Sequence, residues 1–284
     1  MVFDVAQYLD RIGRGGGPAA APATPATLAA LTRAHVQAIP FENLDPVSGR
    51  APSLDLDDLA AKLVTGGRGG YCYEHNTLFN AVLRELGFDV TLHVARVTVG
   101  AREGAIRPCS HMLLLVRFDG EPAPYLADVG FGSIGGLLEP IRLVPDTELD
   151  DGPRRHRLVR IPADPLAQWL LQARSGDTWA NQYTFTEERF QPPDYQMFNW
   201  YVATYPRSPF RLALHVQRTF SDRHLALAGT MLTTTSTTTS STTSSATSGT
   251  TKETVRELAD HAEVVAVLRA EFGIEVPDYF ASAA

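Results

Sequence analysis

An α+β fold follows from three features of this chain of 284 residues. Apolar residues recur at helical spacing through residues 1–87, period-two alternation takes over from Phe88, and a helical pattern returns near the C-terminus. The first region therefore reads as mostly helical, the second as a sheet or barrel, and the third as strands closed by a helix.

In chain order, residues 14–27 are a Gly/Pro/Ala connection between short helical patterns. A helix follows with Leu28, Leu31, His35 and Val36 near one face. It stops at Ile39-Pro40, because the residue before a proline is pushed out of the helical region. A further helix spans about Leu56 to Val64. The pattern Leu78, Phe79, Val82, Leu83, Leu86 traces one stripe of the next, with Gly87 as its stop.

Strand formers then alternate at Val90, Leu92 and Val94 and fill Met112–Phe118 and Tyr125–Val129. Shorter strands are expected at Arg157–Ile161, Trp169–Ala173, Trp179–Phe185, His215–Thr219 and His224–Ala228. A last helix is expected from about Val255 to Phe272, with Leu258, Val264, Val265 and Leu268 for packing and Gly273 ending it. Between these, positions 233–251 hold only Ser and Thr apart from Ala246 and Gly249. With no apolar alternation to pin a register, this tract reads as an extended loop or a fraying hairpin.

Composition narrows the function. A net charge of −7 argues against nucleic-acid and anionic-membrane surfaces. The strongest apolar run, Met112–Val116, is far too short to span a bilayer. No basic-then-apolar leader opens the sequence. Two cysteines make no disulfide framework, so a cytoplasmic protein is expected.

One of those cysteines carries the most specific signal, Arg68-Gly-Gly-Tyr-Cys72-Tyr-Glu-His-Asn76. A glycine turn delivers Cys72 to the start of a helix, where unpaired N–H groups and the dipole favour an anion. A thiolate there is a usable nucleophile. It needs a base, and the base needs an orienting group. His111 opens a buried strand pattern, and Asp128 ends another, where a carboxylate requires a partner. Cys72, His111 and Asp128 thus make a triad possible. A rival arrangement uses Cys72 and His75 on one helix face and Cys109 and His111 on one strand face, a Cys₂His₂ zinc set that leaves Asp128 idle.

These residues resemble the arylamine N-acetyltransferases. The likeness runs through Tyr8-Leu-Asp-Arg-Ile12, His35, Ile39-Pro-Phe-Glu-Asn-Leu44, the cysteine motif, Ser110-His-Met112, Asp128-Val-Gly-Phe-Gly132, Asn199-Trp-Tyr201 and Pro206-Arg-Ser-Pro-Phe210. It implies a helical bundle (1–87), a β-barrel (88–210) and an α/β lid (211–284), with a cysteine-protease-like triad meeting between the first two. By motif, Cys72 is the acyl-accepting nucleophile, His111 its base and Asp128 the orienting group. Acetyl-CoA is the implied co-substrate, without a metal, and an aromatic amine or hydrazine the acceptor, in a ping-pong scheme through a thioester. The Tyr73 amide is the expected oxyanion donor, and Phe131 and Val97 are expected to line the acceptor pocket. Glu42 and Arg68 are expected to pair and hold the cysteine loop, with Glu74 and Asn76 supporting it.

The runner-up on the same fold is an amide synthase taking a larger acyl chain from a carrier protein. A cysteine hydrolase and a zinc-stapled binding protein are the readings of other classes. Two features depart from the family. Cys109 shares a strand face with His111, near enough for an oxidative disulfide with Cys72 or simply an apolar filler. The Ser/Thr tract replaces mixed strand-forming and charged residues, so no coenzyme contact is assigned there.

Overall fold

The computed structural model of the chain describes residues 3–15, 22–102, 105–151, 154–162, 168–239 and 249–282. Its helices open the chain as expected. α1 (Val5–Arg11) is capped by the Asp4 carboxylate, and α2 (Pro25–Ala38) by the Thr24 hydroxyl with Pro25 at its first position. Leu28, Leu31 and His35 are buried, and Val36 is half-buried. The short strand β1 (Phe41–Glu42) and α3 (Leu44–Val47) follow. α4 (Leu56–Leu59) widens into a π-helical turn over Ala60–Thr65 before the glycine turn. α5 (Cys72–Glu85) then buries Leu78, Phe79, Val82 and Leu83 against α1, α2 and the first barrel strands.

The barrel is an eight-stranded antiparallel sheet. Its strands are β2 (Asp89–Val97), β3 (His111–Arg117), β4 (Tyr125–Ala127), β5 (Ile141–Arg142), β6 (Glu148–Asp150), β7 (Arg155–Ile161), β8 (Gln168–Ser175) and β9 (Thr178–Phe185). They run in the order β5-β4-β3-β2-β9-β8-β7-β6 and nearly close on themselves. Leu113, Leu115, Leu126, Leu158, Leu171 and Tyr183 fill the interior. Met112, Leu114 and Val116 point the other way, into the helices. Alternation along β3 therefore serves two cores, which is why it reads as one continuous apolar run.

α6 (Pro192–Thr204) and α7 (Pro209–Leu212) return the chain to the helical side, where Tyr195 and Val202 join the first core. The helix at 192–204 had no clear apolar stripe in the sequence; Met197 and Trp200 point to solvent. The last sheet pairs β10 (His215–Thr219), β11 (Arg223–Ala228), β12 (Met231–Thr239) and β13 (Gly249–Glu257), with β1 on the edge beside β10. α8 (His261–Ala270) and α9 (Asp278–Ala281) cover it.

Two expectations are corrected here. The last helix does not begin at Val255. Residues 249–257 are a strand, and the helix starts only after Asp260, whose carboxylate caps the Glu263 amide at 2.8 Å. The ladder to β12 takes up the Val255 backbone and leaves its side chain exposed, while Leu258, Val264, Val265 and Leu268 do pack in the core. The Ser/Thr tract is also more regular than expected. Thr233–Thr239 pair with Gly249–Val255 in an unbroken register, and β11 holds the other edge of β12. Backbone ladders on both sides set the register that the side chains could not. Positions 240–248 lie outside the described residues.

Candidate active site

Cys72 is the first residue of α5, buried at 3% exposure between the helices and the barrel. The first i→i−4 bond of the helix runs from the His75 amide to the Tyr71 carbonyl, so the amides of Cys72, Tyr73 and Glu74 precede any intrahelical acceptor. The Glu74 carboxylate accepts from the Tyr71 amide at 3.1 Å and fixes the turn into the helix.

Barrel strands supply the partners. His111 is the first residue of β3, and Asp128 follows β4 directly. Adjacent antiparallel strands bring their ends together: His111 Nε2 and Asp128 Oδ2 lie 2.7 Å apart, both fully enclosed. The Cys72 thiol reaches the Ser110 carbonyl at 3.8 Å and lies near enough to the same imidazole to favour its charged form. Burial opposes a charged imidazole, but the Asp128 carboxylate and the thiol outweigh it and push His111 up to about 10. Burial likewise opposes the Asp128 charge. His111, the Asn76 amide and the Gly130 N–H together hold that carboxyl below its usual range.

Asn76 sits one turn after Cys72 and faces the same way. Its Nδ2 donates to Asp128 Oδ1 at 3.0 Å and to the Met112 carbonyl at 2.8 Å, and its Oδ1 accepts from the Val129 amide. Asn76 thus steadies the carboxylate and its strand rather than the cysteine loop. Gly130 makes this junction possible. A Cβ there would stand 2.8 Å from Cys72 Cα and 2.8 Å from Asn76 Nδ2, closer than side-chain carbons approach. Gly132 has φ +59°, and its missing side chain is replaced by the Phe41 ring.

Glu42 and Arg68 lie together on the opposite side of the cysteine turn, with Arg68 Nη2 2.7 Å from Glu42 Oε1. The structure extends this pair into a network that the sequence did not disclose. Lys62 bridges Glu74 at 2.6 Å and Asp45, and Tyr279 near the C-terminus bonds both Arg68 and Asp45. Only spacing-independent folding brings positions 42, 62, 74 and 279 together, so local pattern held no signal for it.

Of the pocket residues, Phe131 stands edge-on to the His111 ring at 5.2 Å and packs on Tyr183 at 5.0 Å. Tyr183, missed in the sequence, also faces His111 at 5.2 Å and lies near Asp128; burial, and then that carboxylate, push its phenol well above the ordinary value. Phe131 lines a small cavity beside Asp128, whereas Val97 is half-buried at the end of β2 opposite Tyr183 and does not line it.

His75 does not turn toward the thiol. Its Nδ1 meets His35 Nε2 at 2.7 Å and its Nε2 meets the Pro40 carbonyl at 3.2 Å. The Cys₂His₂ arrangement thus lacks a ligand, and no cluster of three metal-binding side chains occurs among the described residues. Both cysteines are free, and Cys109 is half-buried against the helical core. No helix among the described residues is long and apolar enough to cross a membrane.

A buried thiol at a helix start, beside a carboxylate-held histidine on a barrel, defines a site suited to acyl transfer. A family model described as N-acetyltransferase matches residues 24–280. The arylamine N-acetyltransferase of Mycobacterium bovis is 38% identical over 281 residues, covering 98% of this chain and 92% of that one. The Nocardia farcinica arylamine N-acetyltransferase structure superposes with a TM-score of 0.85 at 39% identity, over 99% of this chain and 92% of that one. The Mycobacterium marinum enzyme in complex with CoA gives 0.84 at 35% identity, over 97% and 94%. The chain belongs to the arylamine N-acetyltransferase family and is an acyltransferase.

Proposed function

We propose that this enzyme moves acetyl from acetyl-CoA to an aromatic amine or hydrazine through a Cys72 thioester. The observation that supports the reading is the buried His111–Asp128 pair, 2.7 Å apart, beside the Cys72 thiol at the start of α5. With Nε2 engaged by Asp128, Nδ1 is the nitrogen left for the thiol.

The thiol proton rests on His111, whose charged form Asp128 favours, and Sγ attacks the acetyl carbonyl of acetyl-CoA as the thiolate. The bond from that carbon to the coenzyme sulfur breaks, and His111 hands its proton to the departing sulfur. The amine nitrogen then attacks the thioester carbonyl, and His111, neutral again, takes the proton from nitrogen. The C–Sγ bond breaks and the proton stays on His111 beside the released thiolate, restoring the free enzyme. Developing oxyanions are met by the free amide of Tyr73 at the α5 N-terminus. Asp128 keeps the imidazole in one orientation and stabilises its charged form, as a buried carboxylate does in other triads.

Phe131 supplies an apolar wall beside His111 for an aromatic acceptor. Glu42, Arg68 and Glu74 hold the cysteine turn, and Asn76 holds Asp128. The same reading divides the chain into a bundle at 1–87, a barrel at 88–210 and a lid at 211–284.

The test is the intact mass of the protein after brief incubation with acetyl-CoA alone, followed by peptide mapping. One acetyl group on Cys72, discharged by an arylamine and absent in His111→Ala and Cys72→Ala, is the expected result. No adduct on a Cys72 that iodoacetamide still alkylates would move the assignment to a different acyl donor, such as a carrier-bound chain. An adduct that turns over in water as fast as with amine would make the enzyme a hydrolase.

A further inference from the structure

The cavity beside Phe131 holds a feature that the acyl-transfer chemistry does not use. Arg154 lies just before β7 and reaches into the seam between the barrel and the C-terminal sheet. Its Nη1 donates to the Gly136 carbonyl at 2.6 Å, and its Nη2 to Thr219 Oγ1 at 3.1 Å and toward His224 Nδ1 at 3.3 Å. All three partners are neutral. Asp151 is the nearby carboxylate and favours the Arg154 charge from beyond ion-pair distance, its Oδ2 facing the Leu138 amide at 3.2 Å and His156 at 3.5 Å. Arg33, which approaches from α2, is another cation and is itself paired with Glu139. Among the described residues no carboxylate oxygen comes within ion-pair distance of the Arg154 guanidinium. A half-buried guanidinium with no carboxylate bonded to it is a favourable place for an anion to join.

Asp128 also lines the wall, but its carboxylate is held by His111, Asn76 and the Gly130 N–H, and Gln217 is left to present donors. Burial and the facing Arg154 hold His224 down to about 3, so it stays neutral. His224 Nε2 lies 2.6 Å from Gln217 Oε1 and is the protonated nitrogen. Its Nδ1 then accepts from the Thr219 hydroxyl at 3.0 Å. The orientation of Gln217 follows: its Oε1 is taken, and its amide N–H groups are left for the cavity. The void measures about 30 Å³, room for one small ion or carboxylate head and too small for an aromatic ring.

We propose that Arg154 and Gln217 form a binding site for a small monoanion, a halide or a carboxylate group, at the barrel–sheet seam. The cavity adjoins the acyl-transfer site, since Asp128 and Phe131 also line it, but the anion's own contacts are to Arg154 and Gln217. The anion neutralises Arg154 and ties the Gly136 loop, which carries Phe131, to β10 and β11. It comes either from solution or as the carboxylate of a substrate.

Thermal unfolding is measured at constant ionic strength while gluconate is replaced by chloride or formate. Wild type is expected to show a saturable rise in Tm of about 2–4 °C, lost in Arg154→Met and weakened in Gln217→Ala. A bromide-soaked wild-type crystal is expected to place an anomalous peak at Arg154, a readout that stands even if the Arg154 variant does not fold. Chloride that raises KM for malonyl-CoA or an aminobenzoate, but not for uncharged substrates, assigns the site to a substrate carboxylate. Equal effects on all substrates assign it to a free ion. No saturable rise and no peak would overturn the site, as would a peak with no rise, an adventitious ion only.

Discussion

Helix α5 carries two buried histidine systems on two faces, one that favours the charged form and one that favours the neutral. Cys72 and Asn76, one turn apart, face the barrel and meet His111 and Asp128. His75 and Phe79, also one turn apart, face the helices and meet His35. On the first face a carboxylate overrides burial and His111 is raised to about 10. On the second face burial prevails. His75 is lowered to about 4, with the Pro40 carbonyl only partly opposing, and His35 is held well below its ordinary value by burial, His75 and Arg11.

The second chain also has a determined direction. The Pro40 carbonyl can only accept, so His75 Nε2 carries hydrogen and its Nδ1 accepts from His35 Nε2. His35 Nδ1 then accepts from the Tyr8 hydroxyl, 2.8 Å away. Equal burial thus gives a charged histidine beside an acid and a neutral relay beside a carbonyl. The partner, not the depth, sets the chemistry.

The strongest way to break the contrast is to remove the acid. Asp128→Asn should cut kcat by about 10³–10⁴-fold, while circular dichroism stays native. NMR titration of His111 should then show its pKa falling toward that of the second pair. An unchanged rate would remove Asp128 from the mechanism.

Stability against pH sharpens the contrast from both ends. His111 is raised, so its contribution is complete below pH 6.5 and is lost as pH climbs toward about 10. His75 is lowered, so the unfolded chain takes up its proton first. Stability should therefore fall between pH 6.5 and about 4, by about 3 kcal/mol for this one group. Asp128→Asn should flatten only the alkaline limb and His75→Gln only the acid limb. A variant that flattened both would show the two faces to be coupled.

Gly130→Ala should act on the first face alone. The added Cβ forces Cys72 and the Asp128 turn apart, and a slowing of acetylation by roughly 10–100-fold is expected from misplacement on that scale. The acid limb should be untouched. Tyr8→Phe is the smallest change. It leaves His35 Nδ1 without its donor and should lower stability by about 1 kcal/mol with no change in acetylation rate.

How much of this was legible differs by element. The cysteine turn could be read because glycines, cysteine and helix start are adjacent in sequence, and local sterics and hydrogen bonding fix such turns. The strands from Val90 to Ala228 were legible because burial on alternate faces leaves a period in the residues. Val255 was misassigned because a strand and a helix start compete over a few residues, and pairing with β12 decided it. Asn76 was assigned to the wrong partner for the same reason, since Asp128 is distant in sequence and adjacent only across β3.

By itself, then, the sequence determined most of the succession of helices and strands, the place of Cys72 at a helix start and, through family resemblance, the roles proposed for His111 and Asp128. Tertiary structure alone decided which histidine meets an acid, which meets a carbonyl, that Lys62 and Tyr279 brace the cysteine turn, and that Arg154 stands unpaired at the seam. Local structure depends on neighbours in the chain and is written in spacing. Charge state depends on neighbours in space, and those are set only when strands close into a barrel and α5 is laid across it.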